Sequence, residues 1–252
     1  MEQDLGAYVI MGVLAFACEL VDSSLGMMYG TILSPSLIIL GFDPLLVVPS
    51  ILLSQAVGGF IAGVFHHQLG NAYFSRKSID SKAVFIITAF GIIGVAIALS
   101  IALNIPSWVI TVYIGALVLA MGAIILSRRQ FRFSWRRLSV VGLISSFNKA
   151  ISGGGFGPVV ATGQIISGVD SKNAIGITTM SEAPICIAAF IGYILFNPGF
   201  TWNLVIALTI GAGIAATLGP RVTSQFRSPG LRTAIGILAV VLGVWTLVKV
   251  VI

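Results

Sequence analysis

Four ionisable residues stand in stretches that otherwise carry no charge: Glu19, Asp22, Lys149 and Glu182. A charge at membrane depth is costly to hold and points to a binding or proton-carrying site. Uncharged polar residues accompany them: Ser23, Ser24, Ser54, Gln55, Asn148, Ser152 and Ser181. Lys149 is the sharpest of the set. An ammonium in a low-dielectric setting can hold an anion, with further hydrogen bonds from exposed backbone amides and helix N-termini. The same ammonium can form an ion pair with Asp22 or Glu19 and tie two segments together. The two roles are compatible, because a substrate anion can displace one partner. Glu182 lies in Thr178-Thr179-Met180-Ser181-Glu182-Ala183-Pro184, beside a proline that frees a backbone carbonyl. Its carboxyl suits proton coupling first, a structural pair second and sodium coordination third.

Two glycine-rich stretches lie next to these charges. One is Asp22-Ser23-Ser24-Leu25-Gly26-Met27-Met28-Tyr29-Gly30, the other Ser152-Gly153-Gly154-Gly155-Phe156-Gly157-Pro158. Neither ends in Gly-Lys-Ser/Thr or follows a strand, so neither reads as a phosphate-binding loop. They serve either close helix packing or backbone exposed to a substrate. In the first stretch Gly26 and Tyr29 are candidate site residues, while Met27 and Met28 read as packing. Cys18 and Cys186 lie far apart in apolar runs and also read as packing residues. His66 and His67 are neighbours on one helix, point in different directions and suit a membrane interface. These residues form no metal site, no nucleophile–base set and no cofactor-binding motif, which excludes an intramembrane enzyme.

The elements that must position these residues follow from composition. The chain has 252 residues, of which 57% are hydrophobic and only 9% charged, and its mean hydropathy is +1.06. A soluble domain carries about a quarter charged residues, so a soluble enzyme and a nucleic-acid module are both excluded. The acidic start, Met1-Glu2-Gln3-Asp4, lacks the basic region of a secretory signal, and no cleaved peptide is expected. Six segments read as full spans: 44–65, 83–103, 107–127, 173–196, 202–219 and 233–251. Two regions, 6–41 and 138–168, are too long for one span and are broken by the glycine stretches. The flanking arms have about 10–16 residues, or roughly 15–24 Å of helix. The arms read as helical hairpins that dip into the membrane and return, their bare backbone buried in protein or lining a wet cavity.

Charge placement supports that choice. With both hairpins returning to their starting side, 12 of the 14 Lys/Arg fall on the cytoplasmic side, as the positive-inside rule requires. Both termini then face outward. An internal repeat follows at an offset of 127 residues, pairing Gly26 with Gly153, Gly30 with Gly157, Gly41 with Gly168, Asp43 with Asp170 and Ser54 with Ser181. At the same offset Asp22 corresponds to Lys149, and Gln55 to Glu182. The expected fold is therefore an all-α polytopic membrane protein of two inverted-topology repeats, residues 1–130 and 131–252. Each repeat is a re-entrant or short helical hairpin followed by three transmembrane helices, and both form one integrated membrane domain. Secondary transporters use this plan, binding substrate near the midplane where interrupted helices meet.

The glycine stretches, with Gly41-Phe42-Asp43-Pro44, Leu53-Ser54-Gln55 and His67-Gln68-Leu69-Gly70-Asn71, resemble the sulfite exporter TauE/SafE (TSUP) family over essentially the whole chain. The second glycine stretch is the closer match; the first lacks the triple glycine and resembles a divergent subgroup. The resemblance implies transport of sulfur-containing anions: sulfite, organosulfonate or thiosulfate. The expectation is a secondary transporter of the cytoplasmic membrane, without cofactor or nucleic-acid partner, working by alternating access. Its partners are a small anion, the lipid bilayer and a coupling proton or sodium ion. The substrate would be held by Lys149, Asn148, Ser152, Gly153, Gly154, Gly155, Ser23, Ser24, Gly26, Tyr29, Ser54, Gln55 and Ser181. Glu182, Asp22 and Glu19 would handle coupling. A passive anion channel and a transporter of another small organic anion are the alternatives.

Overall fold

The computed structural model describes residues 5–101, 107–127, 133–196 and 201–248, which form ten α-helices and no strand. In chain order these are α1 (Leu5–Leu25), α2 (Tyr29–Ile39), α3 (Pro44–Gln68), α4 (Ile79–Ile101) and α5 (Ser107–Leu126). They continue as α6 (Trp135–Ser152), α7 (Phe156–Ile166), α8 (Ser171–Phe196), α9 (Asn203–Gln225) and α10 (Ser228–Val248). By length and composition α1, α3, α4, α8, α9 and α10 can each cross a membrane. Large apolar side chains remain exposed on their outer faces, such as Phe85 at 72% and Leu195 at 75%. Surfaces of that kind suit lipid rather than water.

The expected spans are present within a few residues of their helices, and the parts falling on 102–103 and 249–251 lie outside the described residues. The span drawn to end at 219 runs on through Pro220 to Gln225. The proline removes its own N–H donor, and its carbonyl accepts from Asn71 Nδ2 at 2.8 Å.

The two hairpins differ from expectation in their first arms. Their first arms have 21 and 18 residues, their second arms 11 each. In the first arm the polar residues Asp22–Ser24 stay helical, and Ser23 and Ser24 satisfy their hydroxyls on the Glu19 and Leu20 carbonyls one turn earlier. The breaks shrink to residues 26–28 and 153–155. Gly26 and Gly153 end the long arms at φ 76° and 71°, a left-handed conformation that glycine adopts without penalty. Their amides donate to Asp22 O at 2.6 Å and Lys149 O at 2.9 Å.

The hairpin breaks meet. Gly30 packs on the Gly153 carbonyl, and Gly157 packs on the Gly26 carbonyl, each leaving no room for a Cβ. Ser34 Oγ donates to Ser152 O at 3.0 Å, and Gly155 N donates to Thr31 Oγ1 at 3.3 Å. Around this contact α1 packs along α9, α6 along α4, α5 along α10, and α3 on both α8 and α9. Small residues permit the approach: Gly211 touches the Gly12 carbonyl, and Gly94 touches the Leu143 carbonyl. The helices that follow each hairpin start alike. Asp43 Oδ1 accepts from Leu45 N at 2.7 Å, and Asp170 Oδ1 accepts from Lys172 N at 2.9 Å.

Candidate functional site

The last turn of each long arm carries a charge. Asp22 and Lys149 are the residues whose carbonyls accept the final amide before each break. Lys149 therefore sits at the C-terminal end of α6, where the helix dipole favours a cation. Asp22 is at the equivalent, unfavourable end of α1, and other groups compensate. Its Oδ1 accepts the first amide of α2, Tyr29 N, at 3.0 Å, and its Oδ2 accepts from Gln55 Nε2 at 3.2 Å. The aspartate thus caps α2 across the break.

Gln55 projects from α3 between the two charges. Its Nε2 faces Asp22, and its Oε1 accepts a hydrogen bond from Lys149 Nζ. On the far side Lys149 Nζ lies 2.8 Å from Glu182 Oε1, with side-chain exposures of 1% and 3%. Asp22, Gln55, Lys149 and Glu182 form a continuous buried chain drawn from α1, α3, α6 and α8. Among the described residues Lys149 is the only buried Lys or Arg. Tyr29 closes one flank, its hydroxyl donating to Ser54 Oγ at 2.8 Å while Ser54 donates to Ile51 O at 3.0 Å.

Three carboxyls therefore surround one ammonium: Glu182, Asp22 and Glu19, the last buried one turn before Asp22. If all were ionised the cluster would carry two net negative charges in a dry interior, which is untenable without bound protons or cations. Asn148, beside Lys149, is fully buried, and neither its Nδ2 nor its Oδ1 has a partner. Among the described residues no group of three or more His, Cys, Asp or Glu is arranged to hold a metal ion.

Comparison with known proteins agrees with this architecture. Residues 10–246 match the family model described as Sulfite exporter TauE/SafE. The chain belongs to the sulfite exporter TauE/SafE family. A relative from Bacillus subtilis (strain 168), "Probable membrane transporter protein YtnM", is 26% identical over 257 residues, covering 96% of this chain and 83% of the relative. This is a multi-pass protein of a family of membrane transporters rather than enzymes.

Within this TauE/SafE protein the predicted site residues divide into two groups. Asp22, Gln55, Lys149, Glu182, Tyr29 and Ser54 are joined by hydrogen bonds or the ion pair, Glu19 is buried one turn before Asp22, and Asn148 is buried one residue before Lys149 in the chain. The ammonium's ion-pair partner is Glu182, whereas Asp22 is reached only through Gln55. The second group turns inward on the backbone. Ser23, Ser24 and Ser181 donate to main-chain carbonyls of their own helices. Ser152 Oγ donates to Asn148 O at 2.9 Å. The amides of Gly153, Gly154 and Gly155 are taken by Lys149 O, Ser152 Oγ and Thr31 Oγ1. Gly26 serves the turn itself and the contact with Gly157.

Sequence reasoning missed the residues that hold the arm ends. His66, expected at the interface, is fully buried, and its Nε2 donates to Ser23 O at 2.9 Å. Asn71 Nδ2 donates to His66 Nδ1 at 3.1 Å and fixes the ring. In the second hairpin Tyr193 Oη donates to Ala150 O at 2.9 Å. The helix breaks orphan both carbonyls. His66 and Tyr193 are 127 residues apart, the repeat offset, and that spacing was the available signal.

Proposed function

We propose that this TauE/SafE protein is a proton-coupled secondary transporter that moves small sulfur-containing anions, of the sulfite, organosulfonate or thiosulfate class, across the cytoplasmic membrane by alternating access. The observation that carries the reading is the buried Lys149–Glu182 pair at 2.8 Å. A proton on Glu182 neutralises the lysine's counter-ion and frees the ammonium for an anion. Loaded with one proton and one monovalent anion, the pair is as electroneutral as when empty, so both forms can be buried at similar cost. Asn148, which precedes the lysine in the chain and has an unpartnered buried amide, is a further donor available once the hairpins shift. The amides of Gly153–Gly155 and the hydroxyls of Ser23, Ser24, Ser152 and Ser181 already have acceptors, so they enter the site only after the hairpins shift.

The halves 1–130 and 131–252 act as inverted repeats whose hairpins move against each other. Three correspondences at the 127-residue offset support this reading. The Gly30–Gly153 contact mirrors Gly157–Gly26. The caps on Ser23 O and Ala150 O come from His66 and Tyr193. Asp43 and Asp170 start α3 and α8 in the same way.

The test is a ligand-stabilisation screen of the purified protein against sulfite, thiosulfate, sulfate, sulfoacetate, taurine and chloride. A bound anion raises apparent stability by mass action. Selective stabilisation by a sulfur oxyanion or sulfonate, weakened in Lys149→Gln, is the expected result; a flat response from folded protein overturns the anion assignment.

A further inference from the structure

Glu19 stands apart from the Lys149–Glu182 pair. It is 0% exposed, and neither carboxyl oxygen has a hydrogen-bond donor. Its carboxyl packs on the Gly58 backbone of α3, at a spot where a Cβ would come within 3.1 Å of Cδ and Oε1 and 3.4 Å of the Ala212 methyl of α9. Asp22, in contrast, has donors on both oxygens, and Glu182 has the ammonium. An ionised carboxylate with neither donor nor counter-ion in contact is the costliest group a protein interior can hold, and it becomes neutral instead.

The titratable groups around it reinforce that outcome. Asp22 and Cys18 lie on its own helix, Glu182 and Cys186 on α8, and Tyr29 on α2; none brings a positive charge. His66 of α3 is engaged with Ser23 O and Asn71. α9 offers only Arg221, which is exposed near the helix end. Lys149 of α6 acts on Glu19 at a distance but is in contact with Glu182 and Gln55.

We propose that Glu19 is a second proton-binding site, separate from Glu182, which holds a proton while α1 is packed on Gly58 and Ala212 and can release it only when that packing opens to water. The chemistry is a simple exchange: the carboxylate and a hydron form the neutral acid, and opening returns the hydron to solvent. Building on the proton-coupled reading above, each cycle that separates α1 from α3 and α9 then moves one proton beyond the one on Glu182.

Infrared spectroscopy of the purified protein at neutral pH tests this without any substrate. The expected result is a protonated carboxylic-acid carbonyl band that shifts in heavy water, disappears in Glu19→Gln and persists in Glu182→Gln. A wild-type spectrum without the band, or a band that survives Glu19→Gln, overturns the proposal. If Glu19→Gln does not accumulate, Glu19→Asp is read instead: a displaced band supports the assignment and an unmoved one overturns it. In reconstituted vesicles Glu19→Gln should lower the protons moved per anion by one, and an unchanged ratio also overturns it. A wild-type protein that moves no anion sinks the transport reading while leaving the infrared result readable.

Discussion

Removing both members of the Lys149–Glu182 pair should destabilise the protein by clearly less than the sum of removing each alone. Lys149→Gln leaves Glu182 buried without the cation that lies 2.8 Å away, next to two further buried carboxyls. Glu182→Gln leaves the ammonium with neutral amide carbonyls in contact and without its counter-ion. Breaking one partner of a buried pair costs about 3–5 kcal/mol. The double variant places two amides side by side and leaves neither charge of the pair without its partner. Its cost should fall short of the sum of the single variants by at least about 2 kcal/mol, within the coupling range of contacting residues. The assay is equilibrium or thermal unfolding of all four proteins in one detergent. The Lys149→Gln penalty should also shrink as pH falls, because protonation relieves the carboxylates left behind. Additivity within about 0.5 kcal/mol, as for independent sites, would refute the claim that these side chains form one electrostatic unit.

Three further outcomes follow from the geometry. Glu182→Gln imitates the protonated acid, so anion binding should survive while the pH dependence of uptake falls to the part that Glu19 supplies; a retained wild-type pH response assigns Glu182 a structural role. Gly30→Ala and Gly157→Ala each force a Cβ into a backbone carbonyl of the opposite hairpin, and thermal unfolding should show losses of about 1–3 kcal/mol or more in both. Gly230→Ala, which meets nothing within 4 Å, should be neutral or stabilising in the same assay. For topology, Cys18 and Cys186 are buried, so an introduced cysteine can be labelled selectively in intact cells and inverted vesicles. Lys77→Cys and Ser127→Cys should react from the cytoplasmic side and Thr201→Cys from outside; the reverse pattern contradicts the hairpin reading.

The long spans and the two glycine breaks were legible because uninterrupted apolar runs and turn residues are local signals. So were the four charged residues of the core, since nothing else in their segments is ionisable. The pairing inside the core was not. By sequence alone Lys149 pairs with Asp22 or Glu19, whereas the ammonium pairs with Glu182 and α3 inserts Gln55 between Asp22 and the lysine. The arm lengths escaped for a different reason: Ser23 and Ser24 suggest a loop by type, yet they can return their hydroxyls to the helix and prolong it. His66 looked interfacial because its carbonyl partner exists only where α1 breaks.

Uptake into proteoliposomes under an imposed proton gradient tests the central claim most directly. Thiosulfate, sulfite and a sulfonate are offered separately, with sulfate and chloride as comparisons, to the wild-type protein and Lys149→Gln. Hydrogen bonds from a charged donor are worth about 1.5–3 kcal/mol, so losing the ammonium should weaken anion affinity about tenfold or more. The account predicts gradient-driven accumulation of at least one sulfur anion by the wild type, with Lys149→Gln needing that much more substrate for the same rate. Uptake that ignores the proton gradient, fails to distinguish sulfur anions from chloride, or is unchanged in Lys149→Gln would contradict it.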